Sequence, residues 1–415
     1  MNRRNILFFN RIINCQNWFI LFIICILCST LIFTPYFYAK STSDYPKYGY
    51  NNRHTASVKS KGPLNNPDVL WVLKSKSKIT GAPITSKGKL YFGDLDNFIY
   101  SVNGESGKVL WFKKLKNRQL QTIGIHNTPA FFKKLVIIAN GDGFLYALDK
   151  ESGRLIWGPI DLKENIYSSP IIYNKLIFIT TAGNGLLWIL KASTGELVFK
   201  KPISIDSPVY STSVLRKDPQ RKNIIYFYIT TKSKLVTYRI DLDLKKHSLI
   251  KSLSIDETIV SSPTLYKSKL YFTTQQFLYC IKLSIHKPYQ NILWIKKQKP
   301  FNIYPLRKTY PSLVLTQSMI FHGNRAYNAN DGMNIWHLWS YGIIKTDSVA
   351  SPDILYIGGE YKLYDQLHGF VAGVNIKTKG IVFWYNLNSS PLSPLILANG
   401  TLFFSTEDQK FYALK

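Results

Sequence analysis

Chemistry in a protein chain usually needs Cys, His, Asp or Glu side chains brought close together, and this chain of 415 residues is poor in them. Its four cysteines are Cys15, Cys25, Cys28 and Cys280. The first three lie at the extreme N-terminus, so Cys280 stands alone, and one thiol builds neither a disulfide nor a cysteine zinc site. The seven histidines contain no His-x-x-x-His pair, which leaves a zinc hydrolase without its ligands. His322 and His368 are isolated and read as structural. Asp142-Gly143 and Asp331-Gly332 offer carboxylates, but calcium needs several converging oxygens, and Asp-Gly is what a type I′ hairpin turn demands. Asp149 and Asp241 sit at strand ends, where carboxylates cap turns. No catalytic residue and no metal ligand is assigned.

The aromatic residues carry more pattern. In five places a glycine precedes a large aromatic by four residues: Gly107/Trp111, Gly153/Trp157, Gly195/Phe199, Gly332/Trp336 and Gly380/Trp384. Trp71 and Trp294 stand in the same frame without the glycine. Glycine supplies the positive φ of a tight turn, and the aromatic, one short strand on, is placed to wedge between neighbouring sheets. Recurrence on every unit argues for packing rather than for a ligand platform. Trp188 and Trp339 fall outside the series and are the candidates for exposed aromatics.

These residues are set by a repeat in the forties of residues, a period that signals propeller blades or solenoid units. The clearest copy runs from Lys134 to Trp157: a β-branched strand, an Asp-Gly turn, a second alternating strand, a Ser-Gly turn and a third strand ending in Trp. A further strand precedes each meander, marked by Asn127-Thr128-Pro129, Ser168-Ser169-Pro170 or Ser261-Ser262-Pro263, with Ser351-Pro352 and Ser393-Pro394 as reduced forms. Small residues and proline suit an innermost strand crowded against an axis. Outer-strand positions fall at Trp71, Trp111, Trp157, Phe199, near Leu249, Trp294, Trp336 and Trp384. The chain stops one strand short of a full last unit, and Val69-Leu70-Trp71-Val72 is a strand without a meander. The expected fold is therefore all-β: an eight-bladed propeller of four-stranded antiparallel blades over residues 65–415, its ring closed by the N-terminal strand. The blade from Tyr210 to about Leu249 has lost its Gly and Trp.

Residues 1–39 read as a signal peptide or signal anchor. Arg3, Arg4 and Arg11 precede an apolar run from Trp18 to Phe33, the order of an export signal. Leu27 is bulky where a lipoprotein site before Cys28 needs a small residue. Residues 40–64 are a linker and lead-in. Export weighs against the nucleic-acid reading that a formal net charge of +29 invites. Lysine far outnumbers arginine, and without residues 1–39 the charge is +26, spread over the blades as a basic surface that an anionic membrane would attract. Arg216, Lys217, Arg221 and Lys222 cluster in a long hairpin loop and are the candidate surface interaction site.

The segment Tyr146-Ala-Leu-Asp149-Lys-Glu-Ser152-Gly153-Arg-Leu-Ile-Trp157 resembles the repeat of the quinoprotein, or PQQ-like, β-propellers. Tyr45-Pro46-Lys-Tyr48-Gly49 with His54-Thr55 resembles the lead-in of exported members. One branch of that family implies a dehydrogenase holding pyrroloquinoline quinone (PQQ) and calcium in the central funnel, between a Trp and a disulfide of adjacent cysteines. No adjacent cysteine pair occurs here. The other branch implies a non-enzymatic scaffold, as in the BamB-type outer-membrane protein assembly factors. The acidic pair of those factors has no counterpart in register, since Asp256 and Glu257 are displaced from it. The expectation is an exported, non-enzymatic, monomeric scaffold without cofactor. Its partners would be envelope proteins, with an outer-membrane assembly complex the implied one.

Overall fold

The computed structural model describes residues 44–118, 123–284, 291–298, 312–316, 318–338 and 342–415. The expected signal segment and Trp339 lie outside them. Among the described residues all regular structure is strand, and the strands form eight antiparallel sheets. Blade one shows the plan, with Ile84–Ser86 innermost, then Lys89–Gly93, Phe98–Asn103 and Val109–Lys114 outermost. Ile84 pairs Tyr91, which pairs Ser101, which pairs Trp111. The two middle strands are buried along almost their whole length, while the outer one alternates half-buried with exposed. A strand covered on both faces reads as a continuous apolar run, and both faces are covered because each sheet lies between two neighbours.

The eighth blade is built from both ends of the chain. Val69–Lys74 adds to Lys410–Leu414, which pairs Thr401–Ser405 and then Ile396–Ala398. Trp71 faces Ala413 and Lys74 faces Lys410, so the N-terminal strand closes the ring and leaves no open blade edge between first and last.

Three blades depart from the plan. Blade three ends in the two-residue strand Ile203–Ser204, and Phe199, expected on an outer strand, lies in the bend before it. Blade four is complete, with Val214–Lys217, Ile224–Thr230, Lys234–Asp241 and Lys246–Ser254, but Leu249 faces solvent rather than the next blade. Blade seven has two short inner pieces, Ile343–Ile344 and Val349–Ala350, on a hairpin of two ten-residue strands, Ile354–Leu363 and Gln366–Asn375.

Candidate functional site

The Gly and Trp of the repeat meet across blades. A Cβ on Gly153, whose φ is 69°, would come within 2.7 Å of the Trp111 indole of the preceding blade. The same approach is made by Gly107 on Trp71, Gly195 on Trp157 and Gly332 on Trp294. Each indole also donates its Nε1–H to a backbone carbonyl of the next blade: Trp71 to Gly104, Trp111 to Lys150, Trp157 to Ala192 and Trp294 to Asn330. A buried indole needs such an acceptor, and a glycine leaves the room to reach it. Trp336 is 7% exposed and packs among blade-seven residues with Nε1 unpaired, and Phe199 packs beside Tyr238 and His247 of blade four.

Gly380 and Trp384 do not follow suit. In blade seven the turn is displaced by one residue, so Lys379 takes the positive φ of 66° and donates its N–H to Asn375, as Gly107 does to Asn103. Phe383, paired with Gly373, stands where Trp111 stands opposite Ser101. It packs with blade eight, while Trp384 stacks on Phe370 of its own sheet at 4.1 Å. The glycine spacing in sequence is one residue out of step with the turn.

The inner strands are tied together by the small residues before each proline. Ala82 N–H donates to Thr128 Oγ1 at 3.2 Å, Thr128 N–H to Ser169 Oγ at 3.1 Å, Ser169 N–H to Thr212 Oγ1 at 2.9 Å and Thr212 N–H to Ser262 Oγ at 3.0 Å. In blade seven the position is acidic, and Ser312 N–H donates to Asp347 Oδ1 at 2.6 Å. Each bond satisfies a backbone donor that an innermost edge would otherwise leave unpaired. Their small size suits a crowded axis, and their side-chain oxygens also accept from the neighbouring blade, which spacing along the chain does not reveal.

The lead-in runs into the ring at the end where the inner hairpins turn. In blade one, Lys87 N–H donates to Asp44 and Tyr45 N–H to Thr85 Oγ1. The Tyr48 hydroxyl lies 3.2 Å from Ser262 Oγ and 2.8 Å from Ser312 Oγ, bridging blades five and six. His54 Nδ1–H donates to Pro263 O at 3.2 Å. Leu265, Leu315 and Ala350 bond Arg53, Thr55 and Val58 or Ala56 through backbone. Beside this plug remains a cavity of about 20 Å³, lined by Tyr45, Tyr48, His54, Ser262, Ser312 and Asp347, among others. One water fills a volume of roughly that size. Burial lifts the Asp347 carboxyl above its ordinary value against the pull of the Ser312 N–H, and burial with Asp347 nearby raises the Tyr48 phenol. Burial holds the His54 imidazole at about 3.

The remaining candidates resolve into turns and surface. Asp142 accepts the backbone N–H groups of Arg118 and Ile123, Asp149 those of Glu151 and Ser152, Asp241 that of Leu244 and Asp331 that of Met333. Glu257 accepts the Thr274 hydroxyl and the Gln276 N–H, as Glu164 does those of Thr181 and Asn184, stapling an inter-blade loop to the next turn. His322 is buried against Gln298, and His368 stacks on Tyr361. Trp188 is half-buried in the core between blades two and three, not exposed. Of the basic cluster, Arg216 and Lys217 end the strand Val214–Lys217 and only Arg221 and Lys222 lie in the loop, where Asp218 accepts the Gln220 and Arg221 N–H groups.

Quinone and calcium, which the resemblance implies for one branch, do not fit the cavity beside the plug. The plug leaves space for a water, and Asp347 is the carboxylate that lines it. Among the described residues no group of three His, Cys, Asp or Glu side chains is placed to hold a metal ion.

No curated protein matches the chain in sequence. Among solved structures it resembles the quinohemoprotein alcohol dehydrogenase of Comamonas testosteroni, at 10% identity over 90% of this chain and 80% of the other, with a TM-score of 0.69. It also resembles Saccharomyces cerevisiae Sqt1, at 11% identity over 84% and 99%, with a TM-score of 0.66. A looser likeness is to BamB of Moraxella catarrhalis, at 13% identity over 87% and 96%, with a TM-score of 0.44. At such identities the first two likenesses speak for the propeller fold alone. The chain is an eight-bladed propeller, and its residues 64–204, from the end of the lead-in to the last strand of blade three, match the family model described as outer membrane protein assembly factor BamB.

Proposed function

We propose that this chain is a non-enzymatic, exported propeller that serves as a protein-interaction scaffold at the cell envelope, in the manner of BamB-type assembly factors. The observation that carries the reading is the plug. The space left beside the chain's own Tyr45, Tyr48 and His54 is about 20 Å³, too small for a quinone. A ring filled in this way offers its loops and outer strands, not its centre. The family-model match over blades one to three supports the same branch. Arg221 and Lys222, exposed on blade four, are the positions at which a partner or an anionic membrane would be met.

The test has two arms. Purified protein incubated with PQQ and calcium is expected to leave an artificial electron acceptor unreduced with any alcohol or sugar; reduction would overturn the reading. A photo-crosslinker at Lys222 in cells is expected to yield adducts with components of the outer-membrane protein assembly machine in the membrane fraction.

A further inference from the structure

At the opposite mouth of the ring from the inner hairpin turns, three aromatic side chains of consecutive blades form an arc. They occupy one repeat position, the residue directly before each small pair: His126 in blade two, Tyr167 in blade three and Tyr210 in blade four. The His126 and Tyr167 rings are 4.9 Å apart with planes inclined at 41°, and the Tyr167 and Tyr210 rings are 5.3 Å apart at 57°. Tyr167 is 37% exposed and Tyr210 57%. At the same position Val260, Lys345 and Leu392 are half-buried, so among the described residues the exposed rings are confined to this side of the mouth.

The flank of the arc is polar and incompletely paired. Gly81 abuts the His126 and Asn127 carbonyls, which places Thr80 beside His126. Thr80 Oγ1, His126 Nε2 and Asn127 Oδ1 have no protein hydrogen-bond partner. Burial lowers the His126 pKa, which keeps the arc uncharged. Buried polar atoms without a protein partner recruit water, and through that water the hydroxyls of a ligand.

We propose that His126, Tyr167 and Tyr210 are a stacking staircase for consecutive rings of a pyranose chain, with Thr80 and Asn127 on its hydrogen-bonding flank. The spacing of the rings is close to that of successive sugars in such a chain, and their stepwise tilt suits a polymer whose rings rotate from one unit to the next. A sugar presents C–H faces edged with hydroxyls, which exposed aromatic faces beside unpaired hydroxyl and amide oxygens complement. An extended peptide would bring backbone donors and acceptors that these rings cannot pair.

The probes are the β-1,4-linked N-acetylglucosamine tetramer and maltohexaose, with saturation-transfer NMR and calorimetry as readouts on the full propeller. At least one is expected to bind saturably with a Kd below about 1 mM. Tyr167→Ala and Tyr210→Ala should each weaken it about tenfold with the unfolding midpoint unchanged, and Tyr210→Phe should retain it. Tyr364→Ala, at a hairpin tip 92% exposed in blade seven, should have no effect. Absence of saturable binding by both sugars overturns the proposal, as does binding that survives both alanine substitutions or an aromatic-rich peptide that binds the arc where sugars do not.

Discussion

Gly153 and Gly380 occupy what looks like one position of the repeat, yet the physics at the two is opposite. Gly153 has a φ of 69° and the Trp111 indole 2.7 Å from where a Cβ would be. Gly380 has no positive φ, and its nearest neighbour, Thr378 Oγ1, is 3.6 Å away. Gly153→Ala is expected to destabilise the protein by about 2 kcal/mol in denaturant melts, through backbone strain and displaced packing, whereas Gly380→Ala should stay within about 0.5 kcal/mol. A melt in which the two variants lose equally would refute the one-residue displacement of the blade-seven turn. The glycine-to-Trp spacing was legible at four blades because turn and aromatic are set by local chain geometry. It misled at blade seven because Lys379 adopts the left-handed turn conformation that the pattern assigns to glycine, and no composition rule marks a lysine that does so.

The lead-in is the element whose importance the sequence hid. Its residues resemble an introductory segment, and besides Gly49 its kinks fall on non-glycine residues at positive φ, namely Tyr50, His54 and Ala56, which leave no local punctuation. What fixes it is contact with distant blades, which spacing along the chain does not reveal. His54 provides a direct test. Its imidazole has an ordinary value of 6.5 and is held at about 3 in the fold by burial. Between those values the unfolded chain binds a proton that the folded chain refuses, so the site loses stability as pH falls from about 6.5 towards 3 and contributes no further change below that. His54→Asn, which tolerates the same backbone, should therefore flatten the acid side of the stability profile relative to the native protein. An unchanged acid limb would mean that His54 is protonated in the fold. Asp347 responds in the opposite sense, so the comparison rests on the difference between the two proteins.

At the scale of the whole ring, eight blades and their closure were readable from the repeat count and from the strand missing at the C-terminus. The aromatic arc and the hydroxyl ties between inner strands were not, since each needs neighbouring blades side by side. Closure concentrates on Trp71, which stacks on Phe411 at 5.9 Å, approaches Phe403 at the same distance and reaches Gly104 of blade one. Trp71→Ala is expected to cost about 3–5 kcal/mol in urea-unfolding equilibria, against less than about 1 kcal/mol for Val72→Ala on the exposed face of the same strand. Equal losses would show that the strand, not its indole, does the closing.

The same closure sets an order of events. Ser75 bonds Gln409, 334 residues further along the chain, and Val69 pairs with Leu414, so the eighth blade cannot exist until the last strand has been delivered. A chain that emerges N-terminus first must hold the Val69–Lys74 strand unpaired until seven blades have been made. Contacts of such long range are slow to form, and the waiting edge is open to other strands. The architecture that gives the finished ring no free ends thus makes its half-made form dependent on protection from association, and refolding yield should fall with protein concentration more steeply than the compactness of the native ring would suggest.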